Sequence, residues 1–100
     1  MILELYSMDK LEKSGEIAVA DSGQVSFVRG SRAVRRLAEE YKNGFETDGT
    51  DWDENGNPGS VYAVARPSED TFECDVNLLA SEFGLCTADK ATRLRLQRSA

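Results

Sequence analysis

The amino-acid sequence predicts a mainly α-helical fold, in which a small helical domain contains a long central helix hairpin and a possible short strand or β-hairpin. Two observations carry this prediction. Apolar residues recur at helical spacing across residues 76–83, and Gly84 follows at the position where helix ends favour a left-handed residue. Residues 31–43 show a second amphipathic pattern with one apolar face.

The N-terminal half divides into three segments. Residues 2–13 carry apolar side chains at spacings that fit a short helix, which ends before a Ser-Gly pair. Residues 16–28 have two interpretations, because their apolar residues alternate as in a hairpin, whereas a helix capped by Asp21 would run to residue 43. Residues 31–43 are helical in both interpretations, and we favour one long helix over residues 21–43.

On a helix over residues 21–43, the apolar residues fall on one side and four arginines fall on the other. These arginines are Arg29, Arg32, Arg35 and Arg36. In one interpretation they form a cationic stripe that contacts DNA phosphates or an acidic neighbour. In the other they lie on a solvated face, where Arg35 and Arg36 pair with Glu39 and Glu40 four residues further on. Arg29 and Arg32 lack such acidic residues and are the stronger candidates for DNA binding.

Residues 47–60 are rich in turn-forming residues and are predicted to be an acidic loop. The pattern that starts at Asp51 resembles the opening of a calcium-binding EF-hand loop. The twelfth position of that loop requires a glutamate and is Tyr62 here, so we expect no calcium site. Trp52 has two interpretations, either as a partly buried anchor that folds the loop onto the core or as an exposed contact for a partner.

The C-terminal part is predicted to contain a helix over residues 68–84 and a basic tail over residues 87–98. Residues 61–66 before Pro67 fit either a lone strand or the start of a helix that the proline interrupts. Thr87 can cap a new element, and the pattern that follows fits a helix or a strand. The tail carries Lys90, Arg93, Arg95 and Arg98. They contact DNA or a partner in one interpretation and belong to a solvated terminus in the other.

Length and composition indicate a single soluble domain. The chain has 100 residues, of which 40% are hydrophobic and 30% are charged, as in ordinary globular proteins. It has no apolar run near the length of a transmembrane helix and no signal-peptide pattern, so we expect no membrane association and a cytoplasmic location. Cys74 and Cys86 are too few for a disulfide framework and are interpreted as buried free thiols.

The charged residues are unevenly distributed along the chain. The formal net charge of −6 argues against extensive binding to nucleic acid, since phosphate neutralisation supplies most non-specific affinity. One acidic block contains no basic residue and consists of Glu46, Asp48, Asp51, Asp53 and Glu54. A second block consists of Glu69, Asp70, Glu73 and Asp75. Such asymmetry suits a protein that meets two different partners or assembles with itself.

The sequence gives little support to catalysis. It contains no histidine, which excludes Ser-His or Cys-His pairs and histidine-based metal sites. It also lacks the glycine patterns of phosphate-binding loops. We therefore expect neither an enzyme nor a bound metal or cofactor.

The order of several short phrases resembles the P27-type family of phage terminase small subunits. The phrase FGLCTADKATRL, residues 83–94, is similar to the C-terminal signature of that family, FGLTPADRARL. Residues 11–21 resemble the entry into the long central helix of the family, and residues 34–45 resemble its end. Residues 53–57 match a polar Asn-Gly loop before the last helices. The resemblance covers roughly residues 11–96.

The resemblance implies a phage DNA-packaging protein. As a terminase small subunit, the chain would assemble into a homo-oligomeric ring, bind viral double-stranded DNA and regulate the large terminase subunit in the host cell cytoplasm. The alternative hypothesis is an acidic inhibitor or nucleic-acid mimic encoded by a phage or mobile element. Such a protein would place the carboxylates of residues 46–54 and 69–75 in the basic groove of its target.

Overall fold

The fold is mixed α/β, with a four-stranded antiparallel sheet, a separate two-stranded hairpin and three α-helices in the described chain. The computed structural model describes residues 1–99, except for the side chains of residues 48–51 and 60–62. The strands are β1 (Ile2–Ser7), β2 (Lys13–Val19), β3 (Val25–Gly30), β4 (Glu46–Trp52), β5 (Pro58–Val64) and β6 (Leu85–Thr87). The helices are α1 (Arg32–Glu40), α2 (Phe72–Ala80) and α3 (Ala88–Ser99), with a 3₁₀ turn at Ser81–Phe83.

The prediction of a mainly helical fold was wrong, and the long central helix over residues 21–43 does not form. The hairpin alternative is correct, because β2 and β3 pair across a turn in which the amide of Gly23 donates to the carbonyl of Ala20 at 2.8 Å. Helix α1 begins only at Arg32, where the hydroxyl of Ser31 accepts a hydrogen bond from the amide of Val34 at 3.4 Å.

Residues 2–13 are also not helical, since they form β1 and the turn that leads to β2. The alternation of burial along β1, with Leu3 and Leu5 more buried than Ile2 and Glu4, is the period of a strand. The helical prediction failed here because the apolar residues of this short segment are spaced so that they fit both a helical and a strand period.

The C-terminal elements follow the predicted boundaries more closely. The helix predicted over residues 68–84 is shorter, with α2 followed by the 3₁₀ turn, and Gly84 ends that turn with a left-handed backbone at φ 71°. The tail predicted over residues 87–98 is α3. The hydroxyl of Thr87 accepts a hydrogen bond from the amide of Lys90 at 3.4 Å. The predicted roles of Gly84 and Thr87 are therefore confirmed.

The sheet has the strand order β3-β2-β1-β6, and the main core lies on the face covered by α1 and α2. The fully buried side chains on this side include Leu5, Ile17, Leu37, Phe45 and Val76. Successive residues of a strand point to opposite faces, and in β6 Leu85 belongs to the core while Cys86 lies on the other side. Helix α3 contacts β1 and β6, and Cys86 is 0% exposed. Helix α3 therefore covers the second face of the sheet at this edge.

Strands β4 and β5 form an arm, defined here as residues 46–64, that is separate from the four-stranded sheet. Seven residue pairs join the strands from Glu46 with Val64 to Trp52 with Pro58, so the arm is about 24 Å long at the usual rise of a strand. The molecule measures 49 × 33 × 22 Å and has a radius of gyration of 15.0 Å. This radius exceeds the value of about 13 Å that is typical of a compact chain of this length. The arm is the element that extends the molecule.

Candidate functional site

The base of the arm is fixed in the core. Phe45, directly before β4, is 0% exposed, and its carbonyl accepts a hydrogen bond from the amide of Ala65 at 2.8 Å. Val64 packs against the backbone of Gly23 and Gly44 so closely that a side chain at either glycine would overlap its methyl group. The arm is thus held on both strands at the point where it leaves the body.

The tip of the arm is organised by the carboxylate of Asp53. Its Oδ1 accepts hydrogen bonds from the amides of Asn55 at 2.9 Å and Asn57 at 2.8 Å. The backbone of Asp53 also closes the turn, because its amide donates to Asn57 at 3.0 Å and its carbonyl accepts from Gly56 at 3.0 Å. The hydrogen bond from the amide of Asn57 is the main cause of a lowered pKa at Asp53, and the amide of Asn55 adds to it.

In this structure the third residue of the EF-hand pattern, Asp53, organises a turn, while the side chain of its first residue, Asp51, lies outside the described residues. The carboxylate that would be a cation ligand at its third position is occupied by backbone amides of its own turn. Within the described residues, no group of three or more potential ligands is arranged to hold a metal ion. Residues 47–60 were predicted to be a loop and instead form most of this hairpin, because the Asp and Gly residues of β4 are untypical of strands. The sequence signal that could have identified the arm is the Asn-Gly pair at its tip, which is typical of hairpin connections.

The hydrogen bonds at Asp53 predict an effect of pH on the tip of the arm. A lowered pKa in the folded protein means that the turn is stabilised above the usual pKa of an aspartate and loses this contribution as the pH falls through the lowered value. We expect the amides of Asn55 and Asn57 to shift together in an NMR titration, with a midpoint below that of the same turn in an unfolded peptide. In Asp53→Asn, which keeps an acceptor oxygen, this titration should disappear. An unchanged titration in that variant would contradict the assignment.

Negative charge is concentrated on the arm. Its sequence contains Glu46, Asp48, Asp51, Asp53 and Glu54 and no lysine or arginine, so the segment carries −5 of the formal net charge of −6. The remainder of the chain is close to neutral, at −1 by difference. The described side chains of Glu46, Asp53 and Glu54 are exposed, and Trp52 beside the tip is 65% exposed. Trp52 is therefore exposed rather than a buried anchor, and its contact with a partner stays a prediction.

The basic residues around α1 are also on the surface, but they do not form a uniform stripe. Arg29 lies in β3 and pairs with Glu16 at 3.4 Å, while the guanidinium of Arg35 lies 4.2 Å from the centre of the Phe27 ring. Arg32 and Arg36 are exposed and have no ion pair within the described part of the chain. Within the described part of the chain, no ion pair joins Arg35 to Glu39 or Arg36 to Glu40.

The basic residues of α3 mostly bind other parts of the same molecule. Arg95 donates to the carbonyl of Leu11 at 2.7 Å, and Arg98 donates to the carbonyls of Met8 at 2.8 Å and Asp9 at 3.0 Å. Arg93 lies 3.7 Å from a carboxylate oxygen of Glu73. The contacts of Arg95 and Arg98 tie α3 to the turn between β1 and β2, and the contact of Arg93 ties it to α2.

Lys90 in α3 lies close to Cys86 in β6. Lys90 is half-buried, and its charge opposes the rise that burial causes in the pKa of the Cys86 thiol. Cys86 is buried as expected, whereas Cys74 is exposed. The eight basic candidates thus form two groups, one on β3 and α1 and the other on α3. In the first group, Arg32 and Arg36 are exposed and have no ion pair within the described residues.

None of the helices in the described residues has the length and apolarity needed to cross a bilayer. The arrangement as a whole consists of an acidic arm, a small cationic surface on α1 and a body held together by buried apolar contacts. Comparisons with protein-family profiles, with curated proteins and with solved structures find no match to this chain.

Proposed function

We propose that this protein is an acidic binding protein that occupies the basic, nucleic-acid-binding groove of another protein with its arm. The observation that carries the proposal is the concentration of five carboxylates and no cation on a ribbon whose base is anchored by Phe45 and Ala65. The protein would thus act as an inhibitor or nucleic-acid mimic, a role that the second acidic block, residues 69–75, also favours. Such a protein would come from a phage or mobile element and act in the host cytoplasm.

The shape and charge of the arm match the requirements of such a groove. Proteins that bind nucleic acids line their grooves with lysine and arginine, because neutralising phosphates supplies most of the affinity. A narrow ribbon about 24 Å long can enter a groove that a globular surface cannot, since its two strands are only about 4.8 Å apart. Fixed negative charge on the ribbon also attracts a basic partner over several ångströms and raises the association rate.

A competition experiment with matched charge changes tests the proposal. The probe is a short fluorescein-labelled duplex bound to each of a panel of DNA-binding proteins with basic grooves, and displacement is followed by fluorescence anisotropy. The arm variant combines Glu46→Gln, Asp48→Asn, Asp51→Asn and Glu54→Gln and keeps the structural Asp53. The control neutralises four exposed carboxylates of the body, Glu12→Gln, Glu39→Gln, Glu40→Gln and Glu82→Gln.

We expect the native protein and the body control to displace DNA from at least one member of the panel. The arm variant should need at least about tenfold more protein, since each exposed charge pair contributes up to about 1 kcal/mol. Both variants carry the same net charge, so the difference reports the position of the charges. An equal loss in both variants, or no displacement by the native protein at any salt concentration, would reject the proposal.

A second function, the phage DNA-packaging subunit of a terminase, is supported by the exposed and unpaired arginines Arg32 and Arg36 on α1. In that role the chain would form a homo-oligomeric ring, bind viral DNA and contact the large subunit. The test is direct binding of a labelled duplex across salt concentrations. The double variant Arg32→Glu with Arg36→Glu should reduce the slope of log affinity against log salt by about 0.9 for each lost phosphate contact. A chain that stays monomeric and binds no duplex at low salt would exclude this role.

A further inference from the structure

Half of strand β1 has an open edge. Strand β1 pairs with β2 from Ile2 to Tyr6, but β6 pairs only with Leu5, Tyr6 and Ser7. After Thr87, the partner of Leu5, the chain leaves the sheet and enters α3. The position beside residues 2–4, where a longer β6 would continue, therefore holds no strand within the described residues.

The backbone groups at this edge can be assigned from the pairing of β1 with β2. Met1 is bonded to Val19 in both directions, at 2.7 Å and 2.8 Å, so its polar backbone groups point towards β2. Residues of an antiparallel strand alternate between bonded and non-bonded pairs, so Ile2 and Glu4 direct their amides and carbonyls to the opposite side. The amide of Met8, which donates to Gly84 at 2.9 Å on the β6 side, follows the same alternation. The open edge thus presents up to two donors and two acceptors.

A groove of about 460 Å³ lies along this edge, between β1, the segment that leads into α2, and the start of α3. Five of the side chains that line it are acidic and none is basic, the acidic ones being Glu4, Glu69, Asp70, Glu73 and Asp89. The N-terminal ammonium of Met1, which also lines the groove, donates to the carbonyl of Val19. Glu4 and Glu73 are partly compensated by Lys13 at 3.4 Å and Arg93 at 3.7 Å. The other three carboxylates have no ion pair in residues 1–99 outside the side chains of 48–51 and 60–62.

The groove also exposes apolar surface. Ile2 is 55% exposed at its rim, and the ring of Phe72 contributes to its lining. Glu4 lies on the face of the sheet that α3 covers, whereas Glu69 and Asp70 precede α2 on the core side. Because alternate side chains of a strand point to opposite faces, a strand placed here would meet carboxylates on both of its faces.

We propose that this groove binds an extended, cationic peptide segment of another protein, which adds to β1 as a short strand. The backbone edge at Ile2 and Glu4 supplies the pairing, and the acidic rim selects lysine or arginine side chains. This mode of recognition takes its affinity from main-chain hydrogen bonds and its specificity from the side chains. The site is separate from the arm and does not depend on the function proposed for the arm.

The test uses a capped, fluorescein-labelled peptide that alternates lysine with valine over seven residues. The control is the same peptide with alternate amides N-methylated. It has the same charge, but one of its edges lacks the N–H groups needed to pair with β1. We expect the unmethylated peptide to bind at least about tenfold more tightly in an anisotropy titration, since two hydrogen bonds distinguish the two. At saturation, hydrogen exchange at the amide of Glu4 should slow at least about tenfold. The amides of Leu3 and Leu5, already directed to β2, should not change.

Two protein variants test whether the peptide binds the groove or the arm. The pair Glu69→Lys and Asp70→Lys, at exposed positions, should weaken binding of the peptide about three- to tenfold. The neutralised arm variant described above should bind it as the native protein does. Equal affinity for the N-methylated peptide would reduce the interaction to charge attraction and overturn the proposal. So would no binding, loss of binding in the arm variant alone, or protection of Glu4 by self-association in the absence of peptide.

Discussion

Replacing Phe45 with alanine is expected to lower the free energy of unfolding by about 3–5 kcal/mol, the range for removing a buried aromatic ring. Phe45 is the largest of the fully buried side chains that the structure describes, and its ring lies 5.1 Å from the ring of Tyr41. It also lies at the junction of the body and the arm, so the cavity would form where the chain returns to the core at Ala65. Urea denaturation followed by circular dichroism gives the difference in stability.

The matched control for this change is Leu78→Ala in α2. Leu78 is 67% exposed, and its truncation should change stability by less than about 0.5 kcal/mol. The contrast matters because both changes remove a large apolar side chain and only one creates a cavity. If Phe45→Ala lowered the free energy of unfolding by less than about 1 kcal/mol, the anchoring of the arm in the core would be incorrect.

Replacing Gly30 with alanine should destabilise the protein by about 3 kcal/mol or more, because backbone strain and steric overlap act together. Gly30 has φ 132°, and a Cβ atom there would lie 2.5 Å from both the Cα of Gly15 and the carbonyl oxygen of Ser14. Neither obstacle is a flexible side-chain end, so β2 and β3 would have to separate. Since α1 begins two residues later, its docking on the sheet should weaken as well.

Gly56→Ala at the tip of the arm separates the two causes. Gly56 has φ 78°, but a Cβ atom added there meets nothing within 4 Å. This variant should therefore lose only the backbone contribution, about 1 kcal/mol, and the same denaturation measurement compares the two. Equal effects at Gly30 and Gly56 would show that the close approach of β2 and β3 has no energetic role.

The ends of helices could be predicted from the sequence more accurately than the pairing of distant segments. Gly84 and Thr87 were identified correctly because a left-handed residue and a side-chain cap depend on a few neighbouring atoms. The segment around Asp21 was misassigned because an alternating pattern and a helical pattern overlap in a short apolar run, and pairing with β1 decides between them. The resemblance to helical packaging proteins reinforced the wrong choice.

The candidate surfaces were predictable in composition but not in arrangement. The acidic block of residues 46–54 is evident in the sequence, whereas its display on a projecting ribbon depends on how Phe45 and Ala65 enter the core. Arg95 and Arg98 were predicted as surface contacts and instead donate to carbonyls more than eighty residues away. No local pattern contains such a contact, because the sheet order that brings β1 beside β6 creates it.

The position of β1 in the sheet has a consequence for the order in which the chain folds. Its two neighbours are β2, adjacent in sequence, and β6, about eighty residues further on. The hairpin of β1 and β2 can form as soon as those residues are synthesised. The pairing of β1 with β6 and the packing of α3 on the second face of the sheet require closure of a long loop. The second face of β1 therefore lacks its cover by α3 until that helix has left the ribosome. During synthesis, the nascent chain has an unpaired strand edge for a chaperone to shield.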